Sequence, residues 1–329
     1  MGAPHLHTTS HAVRRTVAGL AAALALGAGS AAVVPTTPAH ADGVVVTPLD
    51  RIAAVRAYWT KARMLAAVPV DSPSTTTART SGRITAPTSN TVPANSTVYI
   101  PKTVGKLFFS DGGSDFVCSA AAIATRSRNQ VLTAGHCAHT GPNPEGGLLG
   151  LGLLAGPPRY YSNWVYVPRY NAGRAPLGKW VVTHAYVANG WISDESFQQD
   201  QAILTVARRN GKRLVDVTGG NRVALGAGTN HRGVRIWGWP AASPFDGETA
   251  WRCDGTTTAS SVSTSGDASM TCGLNGGASG GPWILPFRRT GNVGTIFAVT
   301  SRITTTGPHL ILAQPLPTSL RVLISRAGG

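Results

Sequence analysis

Charge is scarce in this sequence, and acid scarcer still: only 13% of its 329 residues are charged, and 14 Asp and Glu face 29 Lys and Arg. With 42% hydrophobic residues, that poverty of charge excludes a wholly disordered chain. There are only four cysteines, no two close enough for a Cys-x-x-Cys hook, which argues against a zinc site. Past the N-terminal region no apolar run reaches the ~20 residues that a membrane-spanning helix needs. No internal repeat is visible. Glycine and proline are abundant, at 39 and 22 residues, and the length suits one or two domains with ample material for a core.

The first 41 residues read as a leader. Arg14 and Arg15 precede an Ala/Leu-rich run from Val17 to about Ala32, and a polar, Pro-containing stretch ends in Ala39-His40-Ala41. A basic head, a short apolar middle and small residues before the cut predict a secretory signal peptide over 1–41, removed before Asp42. Thr16-Val17 after the arginine pair favour general secretion over twin-arginine export. Residues 50–66 are expected to form one helix, with Asp50 as its cap and Ile52, Val55, Trp59, Ala62 and Ala66 at helical spacing. Residues 68–97 are crowded with Ser, Thr, Pro and Ala and lack periodicity, so they read as a linker. Together, 42–103 have the organisation of a pro-region ahead of a domain spanning 104–329.

Secretion favours disulfides. Four cysteines allow three connectivities, and local pairing of Cys118 with Cys137 and Cys253 with Cys272 is the simplest. Residues 104–329 carry 20 basic and 11 acidic residues, a net +9. The basic knots at Arg208-Arg209, Lys212-Arg213 and Arg288-Arg289 have no aromatic residues interleaved, which fits a solvated surface rather than a nucleic-acid site.

From about Val104 the texture becomes short β-rich runs broken by Gly, Pro and Asn: 105–110, 116–122, 130–133, 164–168, 180–187, 202–207, 233–238 and 295–301. This predicts an all-β sandwich or barrel, with length enough for two packed β-barrels and one short closing helix in 317–327.

Three motifs carry chemistry, in the order His, Asp, Ser. His136 ends the apolar run Val131-Leu132-Thr133-Ala134-Gly135-His136-Cys137. Asp200 opens Asp200-Gln201-Ala202-Ile203-Leu204. Ser279 lies in Gly276-Gly277-Ala278-Ser279-Gly280-Gly281-Pro282-Trp283. A serine hydroxyl needs a base to take its proton, and His titrates in the right range. A carboxylate behind the His holds its tautomer and stabilises the imidazolium. Glycines around the Ser let the backbone N–H groups of Gly277 and Ser279 converge on a developing oxyanion. Each motif is weak alone; their conjunction predicts acyl transfer.

On these motifs the sequence resembles the chymotrypsin/trypsin-like serine proteases. The likeness extends to Cys118-Ser119-Ala120, to Val234-Arg235-Ile236-Trp237-Gly238-Trp239-Pro240 and to Phe297-Ala298-Val299-Thr300-Ser301, so it covers most of 104–329. In Val165-Tyr166-Val167-Pro168, Ala175-Pro176-Leu177-Gly178-Lys179-Trp180 and Pro244-Phe245-Asp246-Gly247 it is similar to the secreted bacterial glutamyl-endopeptidase-like branch. The resemblance implies two antiparallel six-stranded barrels with a catalytic triad in the cleft between them: His136 as acid/base, Asp200 as its partner and Ser279 as nucleophile. It implies no cofactor and no metal.

The sequence departs from the family's pattern at three points. Ala278 stands where many animal relatives carry an Asp that pairs with a new N-terminus, so activation by that ion pair is not available. Gln201 replaces the usual apolar residue after the acid; Asp194 and Glu195 are its nearest rivals but precede no Ala-Ile-Leu strand. Gly273 lies where trypsin-like relatives place the pocket Asp, and Thr300 where glutamate-cleaving relatives place a His. Gly273, Thr300 and Ser301 are therefore the candidate pocket residues, with Arg302 and His309 near them in sequence. The expectation is a secreted, monomeric bacterial serine endopeptidase acting on protein or peptide substrates, with neither nucleic-acid partners nor a membrane once the signal is cleaved. A catalytically silent binding protein for anionic or cell-wall polymers, or an esterase using the same triad, is the alternative.

Overall fold

The computed structural model describes residues 43–71, 88, 90–94, 98–142, 156–288, 293–305 and 309–328. All belong to one of the chain's two units, His40–Gly329; the signal-peptide expectation and most of the predicted linker lie outside the described residues.

The short apolar runs form the predicted strands, most of them buried along successive residues. Strands β4 (Val104–Asp111), β5 (Ser114–Ile123), β6 (Gln130–Thr133), β7 (Ser162–Pro168), β8 (Trp180–Val187) and β9 (Ala202–Val206) pair in the order β7-β4-β5-β6-β9. β8 joins β7 to β9 and closes a six-stranded antiparallel barrel. β4 and β5 form a hairpin whose two turn residues, Gly112 and Gly113, have φ of +55° and +90°, the left-handed pair that a two-residue hairpin favours. Strands β11 (His231–Gly238), β12 (Trp251–Ala259), β13 (Ala268–Thr271), β14 (Pro282–Arg288), β15 (Val293–Ile303) and β16 (Leu310–Pro315) close a second barrel in the same way, through β14–β15 and β15–β16. The expected closing helix is α5 (Leu320–Arg326).

Each barrel has its own core. Leu107, Phe109, Val131 and Leu204 belong to the first, and Val234, Ile236, Trp283 and Phe297 to the second. A third cluster joins them, with Phe108, Val117 and Leu132 against Trp237, Ile284 and Ile296. β5 is consequently buried along eight successive residues rather than on alternate ones, because both of its faces are covered.

The N-terminal segment differs from expectation. The single helix over 50–66 is two, α1 (Ile52–Tyr58) and α2 (Lys61–Ala66), broken where Trp59 turns inward and Thr60 accepts the Arg63 N–H. Asp50 is not the cap; it sits in a 3₁₀ turn, Leu49–Arg51, ahead of α1. After the break Met64 and Ala67 take the buried positions expected of Ala62 and Ala66, which are exposed. Inside the expected linker, β2 (Val68–Pro69) runs parallel to β5, and β3 (Thr91–Pro93) pairs with β12. Order there comes from pairing with finished strands, which local periodicity does not reveal.

Candidate active site

His136 lies in the 3₁₀ turn Gly135–Cys137 that follows β6, and the disulfide Cys118–Cys137 ties this turn to β5. The second disulfide joins Cys253 to Cys272, so both bridges are the simplest local pairings. Gly135 is required here, since a Cβ would come within 2.9 Å of the Trp191 ring and 3.1 Å of Asp200 Oδ1. Trp191, from α3 (Asn189–Asp194), packs beside the His136 imidazole with ring centroids 5.9 Å apart.

Asp200 sits where a 3₁₀ turn, Phe197–Gln199, runs into β9. The rival acids take other places: Asp194 is exposed, and among the described residues Asp200 is the acid bonded to His136. The His136 Nδ1–H donates to Asp200 Oδ2 at 2.9 Å, and the His136 backbone N–H donates to Oδ1 at 2.8 Å. The Ser301 hydroxyl donates to Oδ2 at 2.7 Å from the second barrel. Burial alone would raise the Asp200 carboxyl, but the charge and hydrogen bonds of His136, with the bond from Ser301, hold it below the usual carboxylate value. On His136 burial opposes the charged ring. The charge and hydrogen bond of Asp200, joined by the charge of Asp71, overcome this and leave His136 above the ordinary histidine value despite the opposing charge of Arg302.

Ser279 stands in a turn that needs its glycines. Gly277 and Gly280 have φ of +95° and +74°, and a Cβ on Gly280 would lie 2.0 Å from Thr133 Oγ1. The Ser119 N–H donates to the Ser279 carbonyl at 2.7 Å, and the Ser119 hydroxyl donates to the Gly277 carbonyl at 2.9 Å. This turns the Gly277 N–H toward the site, where it donates to Asp71 Oδ1 at 3.1 Å; the Ser279 hydroxyl donates to Asp71 Oδ2 at 2.6 Å. His136 Nε2 has no hydrogen-bond partner among the described residues.

No family model matches the chain, and no curated protein matches it. Among solved structures it is similar to the protease Anisep from Arthrobacter nicotinovorans, at 30% identity over 72% of this chain and 98% of that one, with a TM-score of 0.61. The chain belongs to the chymotrypsin-like serine proteases. A thermostable serine protease, AL20, from an extremophilic microorganism shares 27% identity over 69% of this chain and 96% of its own, with a TM-score of 0.59. A Glu endopeptidase matches in fold at 18% identity, over 74% and 98% of the two chains, with a TM-score of 0.54.

In this serine protease the candidate pocket residues have structural partners. Ser301 is committed to Asp200, and the Thr300 hydroxyl accepts the Trp283 indole N–H at 3.0 Å. Gly273 is buried, its N–H donating to Thr91 Oγ1 at 2.8 Å. Arg302 pairs with buried Asp267 at 2.5 Å and lies 3.9 Å over the Phe197 ring, while His309 Nδ1 donates to the Cys272 carbonyl at 2.6 Å. Sequence reasoning passed over Trp191, Ser119 and Asp71. Ser119 was visible only within the Cys118-Ser119-Ala120 likeness. Asp71 had no local signal at all, lying 208 residues from Ser279.

Proposed function

We propose that this protein is a secreted serine endopeptidase in which His136, Asp200 and Ser279 form the triad. The observation that carries the reading is the threefold hold on Asp200, by the His136 ring, the His136 amide and the Ser301 hydroxyl. A buried carboxylate so held keeps the proton on Nδ1 and leaves Nε2 to act as base. Ser279 Oγ attacks the peptide carbonyl while Nε2 takes its proton, and the Gly277 and Ser279 N–H groups receive the oxyanion. The imidazolium then protonates the leaving amine, giving an acyl-enzyme. Water, deprotonated by the same nitrogen, adds to the ester, and the acid product leaves as Oγ regains its proton. No step calls for a cofactor.

Residues 1–41 act as the signal peptide and 42–103 as a pro-region removed from a monomeric enzyme. Support for export comes from two disulfides, which suit an oxidising compartment. The absence of a long apolar helix among the described residues is consistent with it.

The test is fluorophosphonate labelling of the secreted protein beside Ser279→Ala, with casein and a small ester as substrates. Labelling and casein hydrolysis lost together in Ser279→Ala are expected. A folded wild type that never labels at any mass overturns the reading, and ester hydrolysis without casein hydrolysis replaces the peptidase with an esterase.

A further inference from the structure

Asp71 is bonded to the two groups that the proposed reaction needs free, and it belongs to a segment anchored independently of them. Four features hold residues 43–71 to the first barrel. β1 (Gly43–Val46) extends its sheet beside β8. Trp59 is fully buried 5.3 Å from the Phe108 ring, and its indole N–H donates to the Asn163 carbonyl at 2.5 Å. Lys179 Nζ donates to the carbonyls of Arg56 and Trp59, each at 2.8 Å. Arg63 Nε and the Tyr58 hydroxyl both donate to the carboxylate of Asp115, at 2.9 and 2.7 Å. β2 then carries the chain along Phe116 and Val117, Val70 enters the first barrel's core cluster, and the next residue is Asp71.

We propose that Asp71 is an intrasteric inhibitor, its carboxylate seated across the nucleophile and the oxyanion donor to hold the uncleaved protease inactive. This rests on Ser279 being the nucleophile. One oxygen takes the Ser279 proton in a hydrogen bond and the other takes the Gly277 N–H. Three things follow. The Ser279 hydroxyl is turned to a carboxylate that accepts its hydrogen bond but does not serve as its base, while His136 Nε2 is left without a partner among the described residues. The donor meant for the oxyanion already holds an anionic oxygen, so a substrate carbonyl finds its place filled. A carboxylate is also a poor electrophile: attack by Oγ would have to expel an oxide, so the plug survives contact with the nucleophile uncleaved.

The anchoring has a consequence for activation. None of these four anchors involves residues 72–103. A cut between residues 72 and 103 therefore leaves the inhibitory segment bound, and activity appears only when that segment is displaced or destroyed.

The experiment uses the full chain and reads the initial rate of fluorophosphonate labelling of the uncleaved band on a gel, for wild type, Asp71→Ala and Asp71→Asn, with Ser279→Ala as blank. Removing a charge-assisted hydrogen-bonded acceptor is expected to speed labelling of the uncleaved chain roughly tenfold or more. Asp71→Asn keeps the shape and loses the charge, so it should fall between wild type and Asp71→Ala. It also serves if the alanine variant fails to fold. Equal labelling of wild type and both variants overturns the plug and leaves the nucleophile standing. Labelling of none of them, in folded protein, overturns the plug together with the assignment of Ser279. Slower labelling in the Asp71 variants overturns it by making Asp71 part of the working site.

Discussion

Ser301, on β15 of the second barrel, donates its hydroxyl proton to Asp200, at the mouth of β9 in the first, across 2.7 Å. The bond ties the two barrels at the acid that orients His136. Ser301→Ala is expected to fold and to lose about 1.5–3 kcal/mol of support for the buried carboxylate. The readout is kcat/KM on a peptide substrate, expected to fall about tenfold or more through kcat. A change in KM alone would place Ser301 in the pocket instead.

The pH profile follows from the two shifts. His136 lies above its ordinary value, and in the proposed mechanism it works only as the neutral base, so activity is expected to fall as pH drops through that raised value. Asp71 is one of the charges that raise it. In Asp71→Asn the acid limb of the labelling profile should therefore move to lower pH than in wild type. Stability runs the other way for this group. A raised pKa means that the protonated ring stabilises the fold below the unfolded-state value, and that contribution is lost as pH rises through the folded one. For Asp200, held low, the contribution is present above the unfolded carboxylate value and lost as pH falls through its folded one. Melts across about pH 3 to 9 check both signs.

Gly280 and Gly211 provide a matched pair. Both have φ of +74°, but a Cβ on Gly280 meets Thr133 Oγ1 at 2.0 Å and the Ser119 carbonyl at 2.5 Å, whereas nothing lies within 4 Å of one on Gly211. Gly211→Ala should cost only the left-handed backbone term, about 1–2 kcal/mol. Gly280→Ala should cost roughly 3 kcal/mol or more and displace Ser279, abolishing labelling. Denaturant melts and labelling read the two effects separately; equal costs would show that the nucleophile turn yields to the added methyl.

Much of the first barrel was legible because its strands alternate or run apolar between clear breaks, as in 130–133 and 180–187, whose bounds match β6 and β8. The second barrel was harder to read. In β12, Asp254 and Gly255 interrupt the alternation in Trp251–Ala259, and β14 carries Pro282 and Pro286, which ordinarily argue against a strand. The structure accommodates this with register shifts along β14 and β15, one of them between Leu285 and Arg288. His136, Asp200 and Ser279 were legible as motifs because strand ends and glycine turns leave local marks. Asp71 leaves none, since its meaning arises only when β2 docks on β5.

Trp59 tests whether the N-terminal segment is a removable inhibitor or a permanent part of the enzyme. Its side chain is fully buried against Phe108, and its indole N–H reaches Asn163. Trp59→Ala removes the largest single anchor of residues 43–71, a loss of about 3–5 kcal/mol for a buried tryptophan. Because both barrels close through their own strands, this loss should fall on docking of the segment rather than on the protease domain. The uncleaved Trp59→Ala chain should then label faster than wild type although Asp71 is intact. Proteolysis should nick it within 43–71 while the barrel domain stays whole. If the segment is instead a permanent component, the variant should melt as a whole at lower temperature and label no faster. Limited proteolysis with the labelling rate taken on the same sample separates the two, because undocking raises labelling and exposes the segment together, whereas global unfolding abolishes labelling as cleavage spreads.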